Sequence, residues 1–372
     1  MSNQTKERKD DHIKICLEKN VQAKHITTGF EDIYFVHHAL PEIDREKIDM
    51  STKLFDHKFS APIIVGAMTG GTSEATRINS NIAAAVQELG LGMGVGSQRA
   101  AIEDAMLECG FSEARTKAPT AFLIANIGAP QLVQGWGRDQ AQIAVNMIDA
   151  DALAIHLNPL QEAVQPEGET NYANALAKIK EIAGSLKVPV IAKETGAGIA
   201  AEEAKKLEDA GVKGIDVSGA GGTSWAAVEY YRAKAAEDVN GERLGQTFWD
   251  WGIPTAVSVY EVSDSVNIPV IASGGIRTGL DVAKSLALGA SLVSISAPVL
   301  RPATQSVAQV KKTLELIIDE LRNAMFLTGC DTIKKLKKAQ LVVTGKTAQW
   351  LLMRGFHPDA LARQGSKERS KR

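Results

Sequence analysis

An α/β fold, a (β/α)8 TIM barrel with an N-terminal extension and an insertion after strand six, is what the sequence predicts, on three observations. Short β-branched apolar runs recur eight times, at 61–68, 91–97, 120–128, 152–158, 188–194, 212–219, 268–275 and 291–296. They mostly start roughly 23 to 36 residues apart, room for one strand, one helix and two short loops. Polar or glycine-rich loops and amphipathic helical stretches separate them, and eight strand-helix units is the count that closes such a barrel.

Element by element, the punctuation agrees. Ser73 ahead of Glu74 and Asn171 ahead of an Ala/Leu/Ile stripe mark helix starts; Gly211 and Gly289 mark stops. Val307, Val310, Leu314, Ile317 and Leu321 form the stripe of a long helix ending near Thr328 and covering the eighth strand. The sixth and seventh runs are much further apart, so 224–266 holds an insertion; with the extension 1–60 it supplies a rim. Domains are expected at 1–60, 61–330 (the barrel) and 331–372, the last ending in a disordered basic tail, QGSKERSKR.

Composition excludes several classes. With 42 Lys+Arg against 44 Asp+Glu, the chain has no electrostatic footprint for nucleic acid. No apolar run approaches the roughly 18 residues of a membrane span. Cys16, Cys109 and Cys330 are scattered and never in a CxxC pair, which argues against disulfides or zinc and for a reducing compartment. The first residues lack the apolar core of a signal peptide, so a cytoplasmic location is expected.

In a parallel barrel, chemistry sits where strands end. The seventh and eighth units end in Gly274-Gly275-Ile276-Arg277 and Ser296-Ala297; the glycines make either a plain tight turn or, with backbone N–H groups and Arg277, a phosphate site. Lys193 ends the otherwise apolar run VPVIAK and needs a partner: a carboxylate such as Glu194 or Asp216, or an anionic cofactor such as a reduced flavin. His156, Gln161 and Glu162 follow the fourth run, as a rim network or as a proton-handling histidine beside a lone Mg²⁺-binding carboxylate. His37 and His38 are adjacent, diverge, and read as structural. Arg8, Lys9 and His12 read, on charge alone, as solvated helix surface. TGKT at 344–347 imitates a phosphate loop, but Gln340 stands where that loop needs glycine, and GLGMGVG at 90–96 lacks the GxGxxG spacing.

RKDDH at 8–12, FVHHALPEID at 35–44, AMTGG at 67–71, VGSQRA at 95–100, HLNPLQE at 156–162, KETGAG at 193–198, VSGAGGTSW at 217–225 and ASGGIRTGLDVAKSLALGA at 272–290 together resemble the type 2 isopentenyl-diphosphate isomerase family, from about residue 7 to about residue 328. The resemblance implies an FMN-dependent isomerase of isoprenoid biosynthesis that interconverts isopentenyl diphosphate and dimethylallyl diphosphate by a 1,3-allylic proton shift. It also implies flavin reduction by NADPH, Mg²⁺ on the diphosphate and a homotetramer or homo-octamer. By position, FMN is held by Ala67, Met68 and Thr69, by Ser97 and Asn126, by Lys193, Ser218 and Thr223, and by Gly275, Ile276, Arg277, Ser296 and Ala297. Substrate falls to Arg8, Lys9, His12, Ser97, Gln98, Arg99, His156, Asn158 and Gln161, and Mg²⁺ to Glu162; Gln161, His156 and Lys193 are the catalytic candidates. An alkene is a very weak base and its allylic C–H a very weak acid, so a cofactor is needed for chemistry that side chains near neutrality match poorly.

The rival within the same fold, a 2-hydroxy-acid oxidase or dehydrogenase, requires a histidine base after the sixth or seventh strand, and no histidine occurs between His156 and His357. Inosine-monophosphate dehydrogenase requires a cysteine in the loop after strand six, where Thr223 and Ser224 stand. A catalytically silent scaffold is the third alternative, marked by absence of bound flavin.

Overall fold

The computed structural model describes residues 3–364, with side chains from residue 8 onward; the basic tail from residue 365 lies outside the described residues. Its strands are β1 Ile33–Phe35, β2 Thr52–Leu54, β3 His57–Phe59, β4 Ile63–Val65, β5 Gly92–Gly94, β6 Phe122–Gly128, β7 Ala152–Leu157, β8 Val190–Glu194, β9 Gly214–Asp216, β10 Val270–Ala272, β11 Leu292–Ile295 and β12 Leu341–Val343. β4 to β11 form a closed parallel barrel in chain order, β11 returning to β4 with Val293 opposite Ile63. Each barrel strand falls inside one of the eight apolar runs, because a strand covered by helices outside and side chains inside is apolar on both faces.

The N-terminal end of the barrel is plugged. Ile64, Ile124, Ala154, Ile191, Ile271 and Leu292 fill an inner layer, and the β2–β3 hairpin closes it with Leu54, Phe55 and Phe59. Phe55, His57 and Phe59 ring Phe122 at centroid distances of 6.4, 5.4 and 5.4 Å. The hairpin turns on Phe55 and Asp56, both left-handed at φ 45° and 67°, the two-residue geometry that suits twisted strands.

Helix starts differ slightly from expectation. Thr72, not Ser73, caps Ser73–Leu89 by accepting the N–H of Ala75, and Ala175–Ser185 begins after Asn174, whose φ of 65° a turn residue tolerates better than Asn171 would explain. The expected insertion is also shorter: Trp225–Ala235 and Val239–Thr247 lie over the mouth, but Thr255–Ser265 packs on β10 and Ala201–Asp209 as the sixth barrel helix. The long helix is Val307–Leu327, as its stripe predicts.

The two extensions meet. β1 pairs antiparallel with β12, Ile33 opposite Val343. The phosphate-loop imitation holds a carboxylate of the chain itself: Asp32 Oδ2 accepts the N–H of Thr347 at 2.9 Å ahead of Gly345–Met353. From β1 the chain runs back along the mouth, with the N–H groups of Ala23 and Ser224 bonded to Gly222 and Val21, and Lys24 Nζ 3.4 Å above the Trp249 ring. This anchors Asn3–Glu18 against Trp225–Ala235 as a roof. Among the described residues no helix is long and apolar enough to cross a membrane.

Candidate functional site

Under that roof, at the C-terminal ends of the strands, lies a cavity of about 370 Å³. It gathers Arg8, Lys9 and His12 from the first helix; Ala67, Met68, Thr69, Ser97 and Arg99 after β4 and β5; and Asn126, His156, Asn158, Gln161 and Glu162 after β6 and β7. Lys193, Ser218, Thr223, Gly275, Ile276, Arg277, Ser296 and Ala297 complete it from the remaining loops. Gln98 stands apart. Its side chain is wholly buried and turned outward, donating to the carbonyl of Ala144 at 2.8 Å and accepting the N–H of Asn126 at 2.8 Å. Its expected substrate contact is therefore corrected: it ties the loop after β5 to β6 and to the helix Arg138–Met147, while Ser97 and Arg99 on either side line the cavity.

The floor is built by β7, β8 and β9. Lys193 Nζ pairs with Asp216 at 2.9 Å, and its partner among the two carboxylates foreseen is thus Asp216. Glu194 faces away: its Oε2 accepts the N–H groups of Thr195, Gly196 and Ala197 at 2.6, 2.5 and 2.5 Å, fixing the loop that follows, and burial pushes its carboxyl up to about 7. His156, in register with Lys193, donates Nδ1–H to Asn126 Oδ1 at 2.7 Å. Burial first and the Lys193 charge second bring its pKa down to about 4, so near neutrality it is an uncharged hydrogen-bonding group.

One side of the cavity is a glycine cradle. Gly274 and Gly275 have φ of 98° and 66°, and a Cβ on Gly222 would press into the backbone of Gly275, so the loops after β9 and β10 touch as only glycines allow. The tight turn is thus present, and Gly274, Gly275 and Arg277 line the same cavity. Arg277 lies beside the turn, donating to Gln22 Oε1 at 2.7 Å.

The mouth is electropositive but already tethered. Lys9 Nζ reaches the Ser97 carbonyl at 3.3 Å; burial, then Arg8 and Arg99, lower its pKa to about 8. Arg99 pairs with Glu103 and Glu169, each at 2.8 Å, and Arg8 with Glu167 at 3.8 Å. Asn158 donates to Glu162 Oε1 at 2.7 Å and to Gln161 Oε1 at 3.3 Å; Glu162 Oε2 accepts the N–H of Glu169 at 2.7 Å, and burial raises the Glu162 carboxyl. No group of three His, Cys, Asp or Glu side chains suited to a metal exists among the described residues; Glu162 has Glu169 beside it as well as Arg8.

Several side chains that tether the cavity's residues carry no motif in the sequence. Glu229, from the insertion and fully buried, accepts His12 Nε2 at 2.9 Å and Arg232 Nη1 at 2.6 Å, and lies 3.4 Å from the Gln161 amide nitrogen. Burial pushes its carboxyl up, but His12 and Arg232 outweigh this and leave it below the usual range. Glu169 is held by Gln131 as well as Arg99, and Tyr172 donates to Asn158 Oδ1 at 3.0 Å. A single acid in AAVEYYRA gives no sequence signal of its own, because helical spacing alone does not say which face meets a roof.

These residues fit a flavin mononucleotide: a glycine cradle with an arginine for a phosphate, a lysine and neutral hydrogen-bonding groups on the floor, and a separate cationic mouth. The profile of the FMN-dependent dehydrogenase family matches residues 1–124 and 126–343. The isopentenyl-diphosphate delta-isomerase of Methanosarcina barkeri is 50% identical over 357 residues, covering 96% of this chain and 97% of its own length. That of Pyrococcus furiosus is 50% identical over 355 residues, covering 93% and 89%. Among solved structures, a flavocytochrome b2 variant superposes with a TM-score of 0.66 at 18% identity over 93% of this chain and 88% of its own. A lactate oxidase of Pediococcus acidilactici gives 0.62 at 19%, covering 93% and 95%; likeness at that identity speaks for the barrel alone.

Proposed function

The chain belongs to the isopentenyl-diphosphate delta-isomerase family on an FMN-binding barrel, and from this premise we propose how its residues divide the work of interconverting isopentenyl diphosphate and dimethylallyl diphosphate. The observation that carries the reading is one cavity holding a glycine cradle, a lysine floor and, across from them, Arg8, Lys9 and Arg99 beside Gln161 and Glu162. Bound and reduced, FMN would supply a proton donor and acceptor and an electron-rich face beside which positive charge at the tertiary alkene carbon is stabilised.

The protein's own residues do the rest. Of the cavity's lining residues, Ala67, Met68, Thr69, Ser97, Asn126, Ser218 and Thr223 would hold the ring and ribityl portion, and Gly275, Ile276, Arg277, Ser296 and Ala297 the phosphate. Lys193 would meet the ring edge, and His156, uncharged, orients neighbouring groups through Asn126. Arg8, Lys9, His12, Ser97, Arg99 and Asn158 bind the substrate. Glu162 would hold Mg²⁺ with most of its waters retained, and the diphosphate would provide binding energy remote from the reacting carbons. Gln161, oriented by Asn158 and reached by Glu229, moves or relays the allylic proton. Reduction by NADPH, a homotetramer or homo-octamer and a cytoplasmic location complete the proposal.

The experiment is anaerobic conversion of isopentenyl diphosphate with FMN, NADPH and Mg²⁺ beside a flavin-free control. Conversion dependent on reduced flavin is expected. A flavin-loaded, folded protein that leaves the substrate unchanged overturns the assignment of these roles.

A further inference from the structure

Beneath the cavity floor is a second void of about 10 Å³, walled by the aliphatic inner layer of the barrel and bearing Lys193, Asp216 and Ser294 as its polar members. It has room for one water at most, and Ser294 Oγ is buried there without a hydrogen-bond partner. Asp216 ends β9 with its side chain 6% exposed, and Lys193 in the adjacent strand is 12% exposed. The two are in register and bonded at 2.9 Å. Asp216 also accepts the hydroxyl of Ser273 from β10, and Ser273 Oγ accepts the N–H of Ser218 at 2.9 Å. Three neighbouring strands thus spend their inward polar groups on fixing one carboxylate against one ammonium.

This arrangement has an electrostatic meaning. An isolated lysine at the floor would present a full positive charge to whatever lies above it, in surroundings that screen little. Of its neighbours, His156 is uncharged near neutrality, and the Glu194 carboxyl is turned away into the backbone of 195–198. What the floor presents is an oriented pair.

We propose that Asp216 is a positioning residue that sets how much positive charge Lys193 offers to the bound flavin, holding the ammonium in place and compensating it from inside the barrel. The inference rests on the proposed contact of Lys193 with FMN. Its physical sense is that a catalyst with no net redox change needs the ring edge oriented by a hydrogen-bond donor, without the strong pull toward electron uptake that an uncompensated cation exerts.

The test compares dissociation constants of oxidised and reduced FMN, measured anaerobically, in the wild-type holoenzyme and in Asp216→Asn, an isosteric change that removes the charge. The ratio of oxidised to reduced dissociation constants is expected to rise about tenfold, equivalent to a midpoint potential about 30 mV more positive for a two-electron couple. Lys193→Met is expected to lower the ratio, by leaving Asp216 bare, and Lys193→Met/Asp216→Asn to bring it back toward wild type. A purely structural Asp216 weakens both flavin forms equally and makes the double variant worse than either single one; that result overturns the proposal. If the variants do not fold, the wild-type protein reconstituted with 8-mercapto-FMN decides. This pigment takes its quinoid form beside a net positive charge at the N1–C2=O edge and its thiolate form otherwise; the thiolate spectrum is expected, and the quinoid spectrum overturns the proposal. A ratio unchanged in Lys193→Met removes the Lys193 contact itself and this inference with it, whereas a shift in Lys193→Met with none in Asp216→Asn removes Asp216 alone.

Discussion

The two ends of the barrel are opposite solutions to closing the same ring of strands. At the N-terminal end the β2–β3 hairpin presses Phe55 and Phe59 onto Phe122 and the inner aliphatic layer. At the C-terminal end the roof of Asn3–Glu18 and Trp225–Ala235 encloses a cavity crossed by ion pairs, with Lys193, Asp216 and Glu229 all buried or nearly so. The difference teaches which substitutions should separate stability from function. Removing bulk from the plug costs packing and leaves chemistry alone; removing a polar group from the cavity costs chemistry, because the group there is held by neighbours that stay in place.

The sharpest break is expected at Gln161→Asn. Shortening the side chain keeps the amide but withdraws it, and turnover should fall by about 10²- to 10⁴-fold while FMN and substrate still bind. Wild-type rates in steady-state assays would remove Gln161 from the chemistry. Lys193→Ala should lower turnover by about 10²- to 10³-fold and loosen FMN; normal flavin content with unchanged turnover would sink that role. At the other end, Phe59→Ala should cost about 3–5 kcal/mol in denaturant unfolding, with kcat per folded flavin-bound enzyme unaltered. A kcat that falls with stability would mean that the two ends are not independent.

Two pH effects sharpen the comparison further. Lys9 holds its proton only up to about pH 8, so affinity for inorganic pyrophosphate should weaken as pH rises above 8, by at most about tenfold per unit, and the break should move upward in Lys9→Arg. A flat profile in calorimetric titrations would separate Lys9 from the anion. The smallest effect concerns Glu194. Its carboxyl is raised to about 7, so the folded state binds more protons than the unfolded state between the ordinary carboxylate range and pH 7, and this contribution to stability is lost as pH rises through that window. Glu194→Gln should flatten that part of the stability profile in thermal melts; a slope that persists would assign it to another group.

Legibility follows the same division. The barrel strands were readable because burial on both faces makes an uninterrupted apolar run, and the polar residue ending each run marks the active face. The plug was not, because Phe55-Asp56 carries none of the glycine or asparagine that usually announces a two-residue turn. Of the site, residues within motifs were found, Gln98 among them, but adjacency in sequence does not say which way a side chain leaves the loop, and Ser97 and Arg99 enter the cavity where Gln98 does not. Glu229 and Glu169 were hidden for a different reason: their partners His12 and Arg99 lie far off in the chain, and only the closed fold brings the charges within bonding distance. Asp216 was legible only as one of two carboxylates that could partner Lys193, and the strand register chose between these two.

The pairing of β1 with β12 has a consequence for the order of synthesis. The roof helix leaves the ribosome before the barrel, but the segment that pins it is completed only by a strand made after the whole barrel has been translated. Until then Arg8, Lys9 and His12 have no fixed place over the barrel mouth, since a contact of such long sequence separation forms late. A nascent chain could thus close its barrel and gather its cradle while still lacking a finished mouth, and competence for the diphosphate would arrive as one of the last events of folding.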